Sequence, residues 1–335
     1  MKSFFLKLWD KMSDPGLKLP LTAAVLLLTL VLAGLVLAQG FSASHPGTPA
    51  EMVLVTEALP PREEPAEPED WEHTAELILP EPTPETGPEP EEPQSGWTTR
   101  EGEEYYLLAD GSCAVGLHKI GGKLFYFDQN GVKARSLGID VSYYDNGIDW
   151  ELVKEAGVDF AIIRVGGRGW TSGALYDDCR TQEYLLRARA AGVKIGVYFY
   201  STAVNPREAV EEARAALKAV GGVPLDFPVF IDMEFSGEYP KGRADRLSPS
   251  ERAEIAMAFC ETVRNAGYEP GVYAGQNYLK GSIDYYAISR YTIWLASYTV
   301  KDQLPRFDKR YDLWQFTDRG RVPGVGGAVD MNVIF

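Results

Sequence analysis

What the chain has least of narrows its chemistry first. Only three histidines occur in 335 residues, His45, His73 and His118, so none follows residue 118. A serine–histidine triad, a cysteine–histidine peptidase and a histidine-bound zinc are thereby excluded from everything after it, which removes amidases and endopeptidases. Cysteine is equally scarce. Cys113, Cys179 and Cys260 are odd in number and far apart, so no disulfide framework follows and at least one thiol stays free or pairs between chains. Positive charge is short as well, 33 Lys and Arg against 48 Asp and Glu, for a net charge of -15. With no basic stripe and no phosphate-cradling glycine loop, nucleic acid and nucleotides are not expected as partners, and no cofactor or metal is expected.

The acidity is concentrated rather than spread. Between Glu57 and Gly96 thirteen acids face one base, Arg62, and the segment is rich in proline, as in Pro88-Glu89-Pro90-Glu91-Glu92-Pro93. Such a composition cannot bury enough apolar surface to fold, so 40–96 reads as a disordered, self-repelling linker. Fully extended, its roughly fifty residues at ~3.1 Å each reach on the order of 150 Å. The net charge therefore belongs to a spacer and says little about a substrate. Ahead of it, Lys2, Lys7, Lys11 and Lys18 precede an uncharged apolar run from Leu21 to Ala38. At about 1.5 Å per residue this run spans roughly 27 Å, close to a bilayer's hydrocarbon thickness. We read 21–39 as a transmembrane anchor, 1–20 as its cytoplasmic N-terminus, and all that follows as extracellular. Val36-Leu37-Ala38 offers signal-peptidase chemistry, and cleavage there would make the protein secreted.

Residues 97–135 carry an internal repeat of twenty. Gly102, Tyr105, Tyr106 and Asp110-Gly111 return as Gly122, Phe125, Tyr126 and Asn130-Gly131. Asp-Gly and Asn-Gly beside aromatic strand-formers predict tight hairpin turns. The segment resembles the aromatic hairpin repeats of bacterial cell-wall-binding modules. Two units fall short of the roughly three that a repeat stack needs to stand alone. A small β-hairpin unit packed on the next domain and a wall-binding role are both open at this point.

After Ser136 apolar strand-like runs alternate with amphipathic segments, which predicts α/β architecture with parallel βα units over 136–335. The runs are Leu137–Ser142, Asp159–Gly166, Lys194–Ser201, Phe227–Phe235, Glu269–Gly275, Thr292–Tyr298, Tyr311–Thr317 and Val329–Phe335. Eight is the number that closes a barrel. Helices are predicted at Trp150–Gly157, Asp178–Gly192, Pro206–Val220 and Pro249–Gly267, while the last three strands have only short, turn-rich connections. Barrel chemistry sits where strands end in their C-terminal loops, so Asp140, Asp232, Glu234, Tyr273 and the aromatics near Tyr200 and Trp294 should meet at one mouth.

The strand Phe227–Phe235 ends in Asp232 and Glu234, two positions apart and so on one side of the strand. Glycosidic cleavage needs such a pair, one carboxyl protonated to donate to the leaving oxygen and one ionised to support positive charge at the sugar carbon. A solvated strand end or a divalent-ion site would give the same short motif. The close spacing suits retention better than the wider gap an inverting water requires.

Further residues carry a family resemblance. Leu137-Gly138-Ile139-Asp140-Val141-Ser142, Ile148-Asp149-Trp150, Phe160–Gly166, Asp232-x-Glu234, Trp294-Leu295-Ala296, Leu313-Trp314-Gln315 and Val329-Asp330-Met331-Asn332 together look like a glycoside hydrolase family 25 lysozyme. The resemblance implies an irregular TIM-like (β/α)5(β)3 barrel and a muramidase that cleaves the β-1,4 bond between N-acetylmuramic acid and N-acetylglucosamine in peptidoglycan. It implies Glu234 as general acid, Asp232 as the group that assists the forming cation or orients the substrate's 2-acetamido group, and Asp140 and Asp330 as completing the acid cluster. Tyr198, Tyr200, Tyr273, Trp294, Gln315 and Arg164 are the candidate substrate-binding residues. Packing of the barrel is the alternative for the aromatics, as it is for Trp314, and an ion pair within the acid cluster is the alternative for Arg164. Two rivals stand beside this reading, a chitinase-like glycosidase on other N-acetylated glycans and a non-catalytic wall-binding protein. The oligomeric state is not legible.

Overall fold

The computed structural model describes residues 95–299 and 304–335. The anchor and linker expectations at 1–94 lie outside the described residues, among which no helix is long and apolar enough to cross a membrane.

Two hairpins come first. β1 (Gly96–Arg100) pairs antiparallel with β2 (Glu103–Leu107), and β3 (Gly116–Ile120) with β4 (Lys123–Phe127). Their tight turns fall at Glu101-Gly102 and Gly121-Gly122, where all four residues have positive φ, and not at the Asp-Gly and Asn-Gly steps. Those steps close a second, looser turn in each unit. Asp110 accepts from the Ser112 N–H at 2.9 Å, Asp128 accepts from the Asn130 and Val132 N–H groups at 2.8 Å, and the flanking chain makes only single bridges, Leu107 with Cys113 and Phe127 with Lys133. Local carboxylate hydrogen bonds thus compete with the ladder and shorten it. The tight turns and the single bridges keep the spacing of twenty, whereas the accepting carboxylates, Asp110 and Asp128, occupy different positions of the two units.

The hairpins are docked rather than free-standing. The Leu124 N–H donates to Ala156 O at 2.7 Å, and the buried Tyr126 ring packs against Phe316, Trp314 and Phe335 with centroids 4.5, 5.7 and 6.2 Å apart.

The remaining strands form one sheet closed on itself. β5 (Ser136–Val141), β6 (Phe160–Arg168), β8 (Lys194–Ser201), β9 (Val229–Met233), β10 (Pro270–Gly275), β11 (Thr292–Ala296) and β12 (Leu313–Gly320) run parallel, and β13 (Val329–Ile334) returns antiparallel between β12 and β5. A short connection such as 321–328 suits antiparallel neighbours, whereas a parallel pair needs a crossover. β7 (Leu175–Asp177) is an added edge strand on the far end of β6. All eight expected strands are present, with ends shifted by a few residues.

Four of the helices fall where expected: α1 (Trp150–Glu155), α2 (Thr181–Ala190), α3 (Pro206–Val220) and α4 (Pro249–Asn265). Their starts are written in the sequence. Asp149 and Asn205 cap α1 and α3 by accepting from the Leu152 and Glu208 N–H groups, and Ser248 with Glu251 forms a reciprocal capping box on α4. Two further short helices, α5 (Gln276–Gly281) and α6 (Tyr285–Ile288), fill the β10–β11 connection. The order is therefore five strand–helix units followed by three strands, with no helix in either of the last two connections among the described residues.

Alternation along each strand separates two cores. One set of residues packs outward against the helices; Phe160, Ile162, Phe230, Tyr273, Trp294 and Leu313 pack inside the barrel. Phe160 and Phe230 plug its lower end because their neighbours are glycines. A Cβ at Gly138 would lie 2.4 Å from the Phe160 ring, and one at Gly271 2.3 Å from that of Phe230. Asp140, Asp232 and Glu234 share the inward parity of this plug and continue it upward to the mouth.

Candidate active site

Asp232 lies one residue before the end of β9, between Tyr200 of β8 and Tyr273 of β10 in the strand register. Glu234 follows just past the strand. Asp232 is buried and Glu234 is exposed along the mouth, yet the Glu234 carboxyl sits deep enough among the barrel walls to be partly desolvated. The two carboxyls are close enough to perturb each other, and Asp232 Oδ1 is buried with no hydrogen-bond partner. Burial pushes Asp232 well above the usual carboxylate range, and the neighbouring Glu234 adds to the effect. Glu234 is also raised by burial, with its interaction with Asp232 opposing. Such a pair retains a proton where isolated carboxyls would both be ionised.

The loop that follows Glu234 is anchored on Asp245. The Ser236 N–H donates to Asp245 at 2.8 Å, as does the Gly242 N–H, and the Arg252 guanidinium lies over the Phe235 and Tyr278 rings while donating to Asp245 O at 2.8 Å. The exposed Tyr239 ring packs on Phe235, 4.8 Å between centroids.

Asp140 and Asp330 face each other across the antiparallel β5–β13 pair. Asp140 is buried, and burial pushes its pKa up to about 7, against the pull of its hydrogen bonds. Its Oδ2 accepts from Gln315 Nε2 and from Asn332 Nδ2, both at 2.8 Å. Gln315 Oε1 in turn accepts from the Tyr273 and Tyr298 hydroxyls at 2.8 Å, and Asn332 Oδ1 accepts from Trp294 Nε1 at 2.8 Å.

The four expected acids are therefore brought to one end of the barrel. The expected substrate contacts divide. Tyr200 and Tyr198 are half-buried on the inward face of β8, and the Tyr198 ring meets Trp294 edge-on at 6.0 Å. Trp294 is only 1% exposed, packed against Tyr273 at 4.4 Å and Phe230 at 5.1 Å, so it presents no face for a sugar to stack on. Tyr273 and Gln315 are likewise buried and serve as hydrogen-bond partners beneath the acids. Arg164 is paired with Asp178, Nε to Oδ2 at 3.0 Å, with its guanidinium over Tyr143 and Tyr144. Arg164 thus forms an ion pair, but with a residue of the β7–α2 connection rather than within the acid cluster. Trp314 points out of the barrel, donating Nε1–H to Ser297 O at 2.8 Å and packing on Tyr126.

Sequence reasoning missed Asn332, Tyr298 and Asp178. Asn332 shares the inward parity of Asp330, two residues away, and Tyr298 shares that of Trp294 within the run Thr292–Tyr298; that was the available signal, while Asp178 stands outside the strands and had none. No group of three or more His, Cys, Asp or Glu among the described residues is arranged to hold a metal ion.

Comparison with known proteins adds an independent line. Residues 139–325 match the family model described as glycosyl hydrolases family 25. The chain is 29% identical over 196 residues to the autolytic lysozyme of Clostridium acetobutylicum, covering 58% of this chain and 54% of that protein. It is 31% identical over 205 residues to the uncharacterized protein YegX of Escherichia coli strain K12, covering 58% and 68%. It is 28% identical over 214 residues to lysozyme M1 of Streptomyces globisporus, covering 61% and 68%. Among solved structures, the modular autolysin LytC of Streptococcus pneumoniae, in complex with a synthetic peptidoglycan ligand, aligns with TM-score 0.56 at 22% identity, over 72% of this chain and 58% of that one. This last likeness speaks to the fold alone. The chain thus spans little more than half the length of the first of these relatives. The family match covers more than half of the chain and contains Asp140, Asp232 and Glu234. The chain belongs to the glycosyl hydrolases family 25.

Proposed function

We propose that the protein is a peptidoglycan muramidase, hydrolysing the β-1,4 bond between N-acetylmuramic acid and N-acetylglucosamine, with Glu234 as general acid and Asp232 assisting at the sugar carbon. The observation that carries the reading is the neighbouring Asp232–Glu234 pair, held at the barrel's mouth with the proton affinity of both carboxyls raised. Autolysin and lysozyme relatives support peptidoglycan as the polymer.

The chemistry follows from where the pair's proton sits. In the free site burial raises the proton affinity of both neighbouring carboxyls, so the pair as a unit holds a proton. As a glycosidic oxygen approaches the exposed Glu234, that proton passes from Glu234 to the leaving oxygen. Asp232 becomes an anion as positive charge develops at the sugar carbon, and its free oxygen orients the 2-acetamido group or faces the cation directly. Water then completes hydrolysis, with Glu234 accepting its proton. Tyr200 and Tyr198 line the same inner face, and Asp140 and Asp330 supply negative potential from the opposite wall.

By the charge distribution of the first forty residues, we place this domain on the outer side of a membrane that 21–39 anchors, with the proline- and glutamate-rich segment as spacer. The hairpin unit contributes packing on the barrel through Tyr126; the half-exposed Trp97 ring, edge-on to Tyr106 and Phe125, supports a contact with wall polymer. The test of function is release of soluble fragments from labelled, purified peptidoglycan. Wild-type release with none from Glu234→Gln is expected; equal release by both proteins contradicts the assignment of Glu234.

A further inference from the structure

Asp140 is held by two carboxamides, and what fixes the polarity of one of them is chemical necessity. An indole N–H only donates, so Trp294 obliges Asn332 to turn Oδ1 toward it and Nδ2 toward Asp140. This orientation does not depend on the charge of Asp140. Gln315 is locked from the other side. Two tyrosyl hydroxyls, Tyr273 from β10 and Tyr298 from the segment after β11, occupy Oε1 and leave Nε2 for the same Asp140 oxygen. Asn332 and Gln315 are 0% and 2% exposed, so water offers neither an alternative partner. One carboxylate oxygen therefore receives two N–H donors and has no room for a proton, and the other remains for Asp330 and the mouth.

We propose that Asn332, turned by Trp294, and Tyr298, acting through Gln315, are positioning residues that aim the Asp140 carboxyl at the reacting sugar and favour its ionised form. The inference rests on the glycosidase reading for its consequence in turnover, and on geometry alone for its effect on Asp140. Buried carboxylates are favoured as anions by donors of this kind, and removal of a donor lets burial raise the proton affinity further. The charged groups around Asp140 act alongside. Asp330 faces it from β13 and Asp145 from the loop after β5. The Asp232–Glu234 pair at the end of β9 adds negative charge and Arg164 of β6 positive charge, while Tyr198 of β8 and Tyr273 of β10 stay protonated. The amides are thus the neutral donors that counter a largely acidic surround.

Tyr298 has a second property. Its ring is 52% exposed while its hydroxyl reaches inward, so one residue can touch a bound glycan and hold Gln315 at once. Tyr298→Phe keeps the ring and loses the hydroxyl, separating binding from positioning.

The experiment uses the full chain with carboxyl-13C aspartate, the Asp140 signal being assigned by its loss in Asp140→Asn. The Asp140 titration is expected to move up by about one pH unit in Asn332→Leu and by a smaller step in Tyr298→Phe, since Tyr273 still holds Gln315. On peptidoglycan, Tyr298→Phe should lower kcat roughly three- to tenfold with KM within about twofold, and the pH profile should shift in the same direction as the titration. An Asp140 titration unchanged in both variants overturns the proposal, as does a kcat loss in Tyr298→Phe that is equal at every pH. Tyr298→Phe alters only the rim, so it decides the matter even if Asn332→Leu fails to fold. If the wild-type chain releases no fragments, the muramidase reading falls while the titration still decides the positioning.

Discussion

On the proposed muramidase reading, Glu234 and Asp232 differ in role because they lie at different depths of one strand end. Asp232 is 4% exposed, whereas Glu234 is open to the mouth, where a leaving oxygen would take its proton. Glu234→Gln keeps the shape and removes the acid, so turnover should fall by roughly 10²–10⁴, the usual worth of a positioned general acid, with binding to peptidoglycan retained. A steady-state assay paired with a pull-down on insoluble peptidoglycan checks both parts. Asp232→Asn should cost as much, since no anion then appears beside the developing cation. The pair was legible in the sequence because an apolar run ending in Asp-x-Glu leaves two acids on one face. The supporting amides were not: nothing in Gln315 or Asn332 as residue types separates a sugar ligand from a carboxylate's partner, and only their burial decides.

At the level of elements, continuous apolar runs made the eight strands readable, and amphipathic segments closed by glycines such as Gly157, Gly192 and Gly267 made the helices readable. The parts that escaped are those whose signal is short. α5 and α6 have six and four residues, too few to show an apolar face, and β7 has three, two of them exposed. The antiparallel return of β13 is set by connection length rather than by any residue on the strand. The hairpin turns moved for a related reason, because Gly121-Gly122 accepts two positive φ values as readily as Asn130-Gly131 does. Two changes test the packing that holds these elements. Gly271→Ala places a methyl group 2.3 Å from the Phe230 ring and should destabilise the barrel by about 1–3 kcal/mol in a denaturant titration. Tyr126→Ala removes the ring that seats the hairpins on Trp314, Phe316 and Phe335, at a cost of roughly 3–5 kcal/mol. A change below about 0.5 kcal/mol in either would show that the contact contributes nothing to stability.

The molecule as a whole stores protons in buried acids. Beside Asp140, Glu212 on α3 is fully buried with Arg168 and Ser201, and burial pushes it up to about 7. Both carboxyls are free to ionise near pH 4 once the chain unfolds, so between about pH 4 and 7 the native state binds more protons than the unfolded state. Stability from these groups is present at low pH and is lost as pH rises through 7. The melting temperature of the full chain should therefore fall by several degrees from pH 5 to pH 8. Asp140→Asn with Glu212→Gln should flatten that slope; a melting temperature that rises over the same interval contradicts it. Activity should likewise peak on the acidic side of neutrality, because the Asp232–Glu234 pair must enter the reaction holding its proton. The measurement that bears most directly on the central claim is mass spectrometry of the fragments released from purified peptidoglycan by the full chain and by Glu234→Gln. The account predicts new reducing ends on N-acetylmuramic acid with the wild type and none with the variant; reducing ends on N-acetylglucosamine, or intact glycan strands with both proteins, would contradict it.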